Sequence, residues 1–266
     1  MLKILVCVKQ VPDVDQMSMD PETGNLIRTG VPAILNPLDA NALSAALKVK
    51  ETYGGEITLI TMGPPAAEAV LRECLAVGAD HAVLVTDRVF GNADTLATSY
   101  SIVSAADQVG KFDMIFCGKE TLDGATGQMG AQLAERFGAA QITSAVLIKE
   151  VNEASGTLVV DRELETGTET LEVTMPVLFT MEKTNYPARI PNLKGKMAAK
   201  KAEIQTFTAD TIPGLDRNKI GDPGSPTKVP RMFPPVLPEP GVVLSEGSVE
   251  ADVKKLLGIL AADGVI

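Results

Sequence analysis

Short apolar runs alternate with helix-periodic stretches over the first half of the chain. Leu2–Lys9, Glu56–Thr61, Ala82–Val85 and Asp113–Cys117 are apolar runs too short for helices, the pattern of strands buried on both faces. Leu38–Tyr53, Ala66–Val77 and Ala93–Val109 lie between them with helical periodicity, and Gly124–Phe137 follows the last of these strands. Strand–helix alternation of this kind predicts a parallel sheet with right-handed crossovers and helices on both faces.

From Gln141 the pattern changes. Gln141–Val151, Thr157–Glu163, Glu169–Thr174 and Val177–Met181 read as strands, separated only by Ala154–Gly156, Thr166–Gly167 and Met175–Pro176. Strands joined by such short turns read as antiparallel hairpins, so they are expected to extend the first sheet. After Lys201 periodicity is lost, and Ile212–Pro240 holds eight of the 17 prolines, which disfavours ladders and helices alike. Ser248 and Glu250 then open an amphipathic run ending near Leu260, the signature of a capped helix. The predicted fold is α/β: a doubly wound, mostly parallel sheet extended by antiparallel strands, with a proline-rich C-terminal arm and terminal helix. Residues 1–205 form the α/β domain in this reading, and 206–266 an extended arm whose helix docks on another subunit.

Composition narrows the function. A net charge of -10 and a pI near 4.7 oppose binding to nucleic acid or anionic lipid. No apolar run has membrane length, so the expectation is a soluble, cytoplasmic protein without membrane insertion. Cys7, Cys74 and Cys117 lie in apolar surroundings, which fits buried reduced thiols better than disulfides. They show neither Cys-x-x-Cys spacing nor a histidine cluster, so no metal site is expected. The single histidine, His81, sits in a turn before a strand. No Ser/His/Asp set or paired carboxylates mark an acid–base centre, and no catalytic residue is assigned.

In open parallel sheets, ligands bind beyond the carboxyl ends of the strands where the strand order switches. The first strand runs into Cys7, Val8 and Lys9, the second into Met62 and Gly63, and the fourth into the loop from Gly118 to Gln128. That loop contains Thr121, Asp123, Gly124, Ala125, Thr126, Gly127 and Gln128 just ahead of a helix, where small residues and hydroxyls can cradle a phosphate. It lacks the Gly-Lys-Ser/Thr of the P-loop and the G-x-G-x-x-G of dinucleotide sites, and a well-capped helix start would look similar. Asn36, ahead of Pro37, either reads a base or ribose edge or opens the helix. Lys9 either complements phosphate or is a solvated surface lysine.

Several stretches taken in order resemble one family. They are Val6–Pro12, Asn36–Asp39, Met62–Pro64, Leu75–Asp80, Gly118–Gln128 and Ile190–Lys201, and they look like the beta subunit of electron transfer flavoproteins. The resemblance implies a heterodimer with an alpha subunit that carries FAD, the beta chain holding a second nucleotide. In ordinary members that nucleotide is AMP. In the electron-bifurcating branch it is FAD, which takes hydride from NADH and sends electrons to a low-potential ferredoxin or flavodoxin and, through the alpha-subunit FAD, to an acyl-CoA dehydrogenase. Ordinary members carry several consecutive acidic residues in the fourth-strand loop; here Asp123 is followed by Gly124–Gln128, which resembles the bifurcating pattern.

The FAD site so implied comprises Cys7, Val8, Lys9, Asn36, Met62, Gly63, Gly118, Thr121 and Asp123 through Gln128. Arg88, Phe90, Asn92, Asp94 and Thr95, beyond the third strand, form a candidate NADH loop, although Asn92 or Asp94 could instead cap a helix. Arg162 and Glu163 match a hairpin near the alpha-subunit flavin, with a strand-surface ion pair as the plainer reading. Ile190, Pro191, Asn192, Leu193, Lys194 and Lys196 match the dehydrogenase-docking segment, with Ile190 as the apolar anchor. A nucleotide-binding assembly subunit without redox function is the reading from another class.

Overall fold

A computed structural model describes residues 1–13, 18–19, 26–27, 31–183, 186, 189–230 and 241–266. Of the proline-rich stretch, residues 231–240 lie outside the described residues. The elements run β1 (Lys3–Cys7), β2 (Gln10–Pro12), β3 (Ser18–Met19), β4 (Leu26–Ile27), β5 (Ala33–Leu35), α1 (Pro37–Tyr53), β6 (Glu56–Met62), α2 (Glu68–Ala76), β7 (His81–Val85), α3 (Thr95–Ala106) and β8 (Met114–Gly118). There follow α4 (Met129–Phe137), β9 (Ala140–Asn152), β10 (Thr157–Leu164), β11 (Gly167–Thr174), β12 (Val177–Met181), α5 (Leu193–Lys201), β13 (Gln205–Phe207) and α6 (Val249–Ala262).

One nine-stranded sheet has the order β11-β10-β9-β12-β8-β1-β6-β7-β13. Pairing is parallel from β9 through β13 across the sheet, and β10 is antiparallel to both β9 and β11. Only β10 therefore runs against the others in this sheet. The sheet is covered on both faces: one apolar cluster joins it to α1, α2 and α5 residues, the other to α3 and α4. Phe116 and Phe179, on the adjacent strands β8 and β12, are fully buried with ring centroids 4.9 Å apart. Burying each such side chain contributes about 1.5–3 kcal/mol relative to exposure.

Three sequence expectations change. The last of the four late strands, β12, does not form a hairpin with β11 but lies between β8 and β9, parallel to both. The reason is its composition: all five residues of VLFTM are buried, which requires cover on both faces and hence an interior slot. β11 alternates in exposure, as an edge strand does. Secondly, α4 begins at Met129 rather than Gly124, because Ala125 (φ 45°) and Gly127 (φ 62°) take left-handed conformations incompatible with a right-handed helix. Thirdly, the arm is not separate at 206. β13 pairs with β7 as the sheet edge, and Ala209, Ile212 and Ile220 are buried in the α3/α4 cluster.

Among the described residues no helix is long and apolar enough to cross a membrane. All three cysteines are buried free thiols, and burial pushes each of them above the usual thiol range.

Candidate functional site

The chain builds outward from β1 through β6 and β7, then returns to place β8 on the other side of β1. Loops leaving β1 and β8 therefore diverge and open a crevice at their carboxyl ends, the usual ligand position in such sheets. α1 starts in this crevice, with Pro37 in its first turn.

Asp39, in that first turn, is 4% exposed. One of its oxygens accepts the Lys9 N–H and the other the Gly118 N–H, each at 2.9 Å, so one carboxylate ties the ends of both strands to the helix. Burial pushes its carboxyl up to about 7, against the lowering effect of the Gly118 N–H, the Asn36 side chain and Lys9. Gly118 is required by the same contact. A Cβ there would lie 2.7 Å from Asp39 Oδ1 and 2.8 Å from Leu38 Cβ. Sequence reasoning passed over Asp39; an acid in the first turn of a helix that starts at the switch point was the available signal.

Asn36 is 1% exposed and opens α1 as its N-cap residue, its carbonyl accepting the Ala40 N–H at 3.0 Å, but its side chain makes no capping bond. Its Nδ2 donates to Glu120 O at 2.9 Å and its Oδ1 accepts from Leu122 N at 3.3 Å, while its own N–H donates to Lys9 O at 3.0 Å. It pins the start of the β8 loop to the end of β1. Lys9 Nζ lies 2.8 Å from both carboxylate oxygens of Asp123, so it neutralises the loop's acid instead of standing free as a phosphate ligand. Burial raises the Asp123 carboxyl, but Lys9 and the Thr121 side chain outweigh it and hold the group below the ordinary carboxylate range.

The expected backbone ligands are largely engaged within the protein. The N–H groups of Val8 and Gly63 donate to Ile60 O and Val85 O at 2.9 and 3.0 Å, and those of Lys9 and Gly118 to Asp39. Cys7 and Val8 side chains are buried, and Met62 is half-buried. What remains open is the loop itself: Asp123, Gly124, Ala125, Thr126, Gly127 and Gln128 are all exposed, with Thr121 half-buried beneath them. The first turn of α4 receives no side-chain cap from Gln128. Gln128 Oε1 instead accepts from Thr95 Oγ1 at 2.8 Å, and Gln132 Nε2 donates to the same hydroxyl at 3.1 Å, joining the first turns of α3 and α4. Thr61 Oγ1 and Gln132 Oε1 are buried without a hydrogen-bond partner.

The third-strand loop is built differently from the sequence expectation. Phe90 is 4% exposed and belongs to the α3/α4 apolar cluster, which removes its ring from any exposed ligand. Asp94 caps α3 by accepting the Ala97 N–H at 3.0 Å, and Asn92 takes a left-handed φ of 57°. Arg88 is exposed. In the hairpin, Arg162 Nε pairs with Glu169 across β10 and β11 at 2.6 Å, the strand-surface ion pair. Glu163 is exposed and its charge acts on Lys119 at the start of the β8 loop. His81, the first residue of β7, lines a cavity at the opposite, amino end of the sheet, away from the crevice.

The docking-segment residues lie on and before α5. Asn192 caps α5 by accepting the Gly195 N–H at 2.8 Å. Gly195 faces α2 so closely that a Cβ would meet Ala76 O at 2.2 Å. With α5 held there, Ile190 is 91% and Leu193 76% exposed, Lys194 and Lys196 are also exposed, and Pro191 is half-buried. Among the described residues no group of three or more His, Cys, Asp or Glu side chains could hold a metal ion.

The electron transfer flavoprotein domain model matches residues 23–212. Over 266 residues, the whole of both chains, the protein is 42% identical to the electron transfer flavoprotein subunit beta of Thermoanaerobacterium thermosaccharolyticum. Protein FixA of Bradyrhizobium diazoefficiens is 42% identical over 235 residues, which is 87% of this chain and 82% of that one. The caffeyl-CoA reductase-Etf complex subunit CarD of Acetobacterium woodii is 40% identical over 266 residues, again the whole of both chains. With a switch-point crevice in a doubly wound sheet and full-length likeness to beta subunits, the chain belongs to the electron transfer flavoprotein family, on its beta-subunit side.

Proposed function

We propose that the chain is the beta subunit of an electron-bifurcating electron transfer flavoprotein and holds FAD in the crevice between β1 and β8. The observation that carries this reading is the exposed segment Asp123–Gln128. Its one acid is paired with Lys9, its other residues are small or neutral, and it leads into a helix whose first turn has no side-chain cap. Such a surface suits a pyrophosphate: free N–H groups at a helix start attract anions, and a neutralised acid does not repel them. AMP, with a single phosphate, makes less demand on space and charge.

Each neighbouring residue has a task in that reading. Asp39 fixes the separation of the strand ends, Asn36 fixes the loop entry, and Lys9 keeps Asp123 from repelling the phosphates. Thr126 and the first turn of α4 offer the donors, Thr121 bonds the Asp123 carboxylate, and Thr95 with Gln128 holds the α3 and α4 starts together. When bound, FAD supplies acceptance of hydride from NADH and delivery of single electrons along two routes. The exposed Arg88 supplies a cation for a dinucleotide phosphate.

The partners follow from the family and the surfaces. An alpha subunit completes the heterodimer, and α6 presents Val253, Leu256 and Leu257 at 45–50% exposure among the described residues. Ile190 and Leu193 fit an apolar pocket on an acyl-CoA dehydrogenase, with Lys194 and Lys196 at the rim. The caffeyl-CoA reductase complex named for one relative is in keeping with such a partner. Ferredoxin or flavodoxin is the low-potential acceptor.

Purifying the chain with its alpha subunit and counting released nucleotides tests the reading. Two FAD per heterodimer supports it. One FAD and one AMP makes the protein an ordinary carrier, and no flavin at all makes it an assembly subunit. Substituting Arg88→Ala should raise the KM for NADH with flavin content intact; loss of flavin would sink that residue's assignment.

A further inference from the structure

The loop Arg88–Thr95 is not held by its own sheet alone. Two aspartates flank it, and each divides its carboxylate in the same way. Asp87 accepts the Val89 N–H at 3.3 Å with Oδ1 and the Ala209 N–H of the arm at 3.2 Å with Oδ2. Asp94 accepts the Ala97 N–H at 3.0 Å with Oδ1, capping α3, and the Thr227 N–H of the arm at 3.0 Å with Oδ2. A third tie comes from Ser225, which is 3% exposed. Its hydroxyl accepts the Asp94 N–H at 2.8 Å and donates to Gly221 O at 2.6 Å, and it lies 3.4 Å from Asn92 O.

Backbone packing makes the contact tighter than hydrogen bonds alone require. At Gly221 (φ 55°) a Cβ would stand 2.0 Å from Val89 O and 3.2 Å from Gly91 O, so arm and loop approach backbone to backbone. Upstream, the Asp216 N–H donates to Tyr100 Oη on α3 at 3.0 Å, fixing where the arm crosses the helix. A loop of this length would otherwise sample several conformations, and ordering it on binding would weaken affinity.

We propose that arm residues 216–228 are a latch that sets the shape of the Arg88–Asp94 loop, and that Asp94 is the positioning residue that couples them. The latch is pre-organisation: it leaves Arg88 exposed on a loop already ordered. This inference rests on the reading of the loop as the NADH-receiving element, and the test separates the two.

Asp94→Asn discriminates well. Asparagine caps helices about as well as aspartate, but Ala97 and Thr227 donate to different oxygens of Asp94, and the amide replaces one of them with an NH2 that cannot accept. Ser225→Ala removes the other tie without touching the cap. Both variants are made in the complete alpha/beta complex and followed by amide hydrogen exchange. The expected result is exchange about tenfold faster in residues 216–228 and in residues 88–93 together, with α3 protection unchanged. The KM for NADH should rise about tenfold in each variant while kcat stays within about twofold, and the double variant should be less than additive. Faster exchange in the arm with an unchanged loop overturns the latch, as does a KM change in Asp94→Asn that Ser225→Ala fails to reproduce. A wild-type complex that oxidises no NADH overturns the functional reading of the loop, while the exchange comparison still decides the latch.

Discussion

The carboxylate of Asp39 receives the backbone N–H of Gly118 at 2.9 Å, and this single bond joins the first helix to the fourth strand of the parallel sheet across the site. The same side chain holds Lys9 N–H on the neighbouring strand. The crevice width is thus set by one buried residue that need not itself touch a ligand.

Substituting Asp39→Asn should destabilise the fold. An amide group would face one of two buried N–H donors, which costs roughly 1–3 kcal/mol for the unsatisfied group. Urea denaturation measures the loss, and nucleotide retention should fall with it.

The Asp39 carboxyl also predicts a pH dependence. Its value in the fold is about 7, above the 3.8 of an unperturbed aspartate, so the native state holds the proton more tightly than the unfolded chain. The stability contributed by this group is fully present below about pH 4 and is lost as pH rises through about 7. The stability difference between wild type and Asp39→Asn should therefore shrink from pH 4 to pH 7 in a denaturation series. A flat difference would place the Asp39 titration elsewhere.

Gly118→Ala should be harmful although its φ is unremarkable. The added methyl would fall 2.7 Å from Asp39 Oδ1 and 2.8 Å from Leu38 Cβ. Overpacking of this kind costs about 1–3 kcal/mol, and the expected readout is a lower Tm together with weaker nucleotide binding. A variant with wild-type stability and affinity would show that α1 can shift freely.

Lys9→Met should weaken nucleotide binding by about 10- to 100-fold, because it leaves the Asp123 carboxylate uncompensated beside the phosphates. Adding Asp123→Asn should therefore recover much of the affinity. Calorimetry with the apo complex measures both, and failure of the second change to help would deny Lys9 its neutralising role.

Ile190→Glu should leave folding intact, because the side chain is 91% exposed. Electron delivery to an acyl-CoA dehydrogenase should nevertheless fall by at least about 30-fold, as expected on losing an apolar anchor. NADH oxidation with a small artificial acceptor serves as the control and should be unaffected.

Periodicity made the strands β1, β6, β7 and β8 and the helices α1, α2 and α3 legible, because each repeats one pattern of burial along its length. It placed the start of α4 five residues early. Gly124 and Gly127 look compatible with a helix in a sequence window, whereas the left-handed backbone at Ala125 and Gly127 is fixed by the loop's path. The position of β12 was similarly hidden. A fully apolar strand announces that it is interior, but not between which neighbours it lies.

By itself the sequence determined the alternating architecture, the terminal helix cap at Ser248, the glycine-rich loop after β8 and the family. It also named most residues around the crevice. Only the tertiary structure decided what those residues do: Asn36 and Lys9 face inward to the protein's own loop, Phe90 enters the core, and Asp94 holds the arm as well as α3. The physical reason is that a side chain's residue type states which bonds it can make, while the partner is chosen by chain segments distant in sequence. Thirty residues separate Lys9 from Asp39, and 133 separate Asp94 from Thr227.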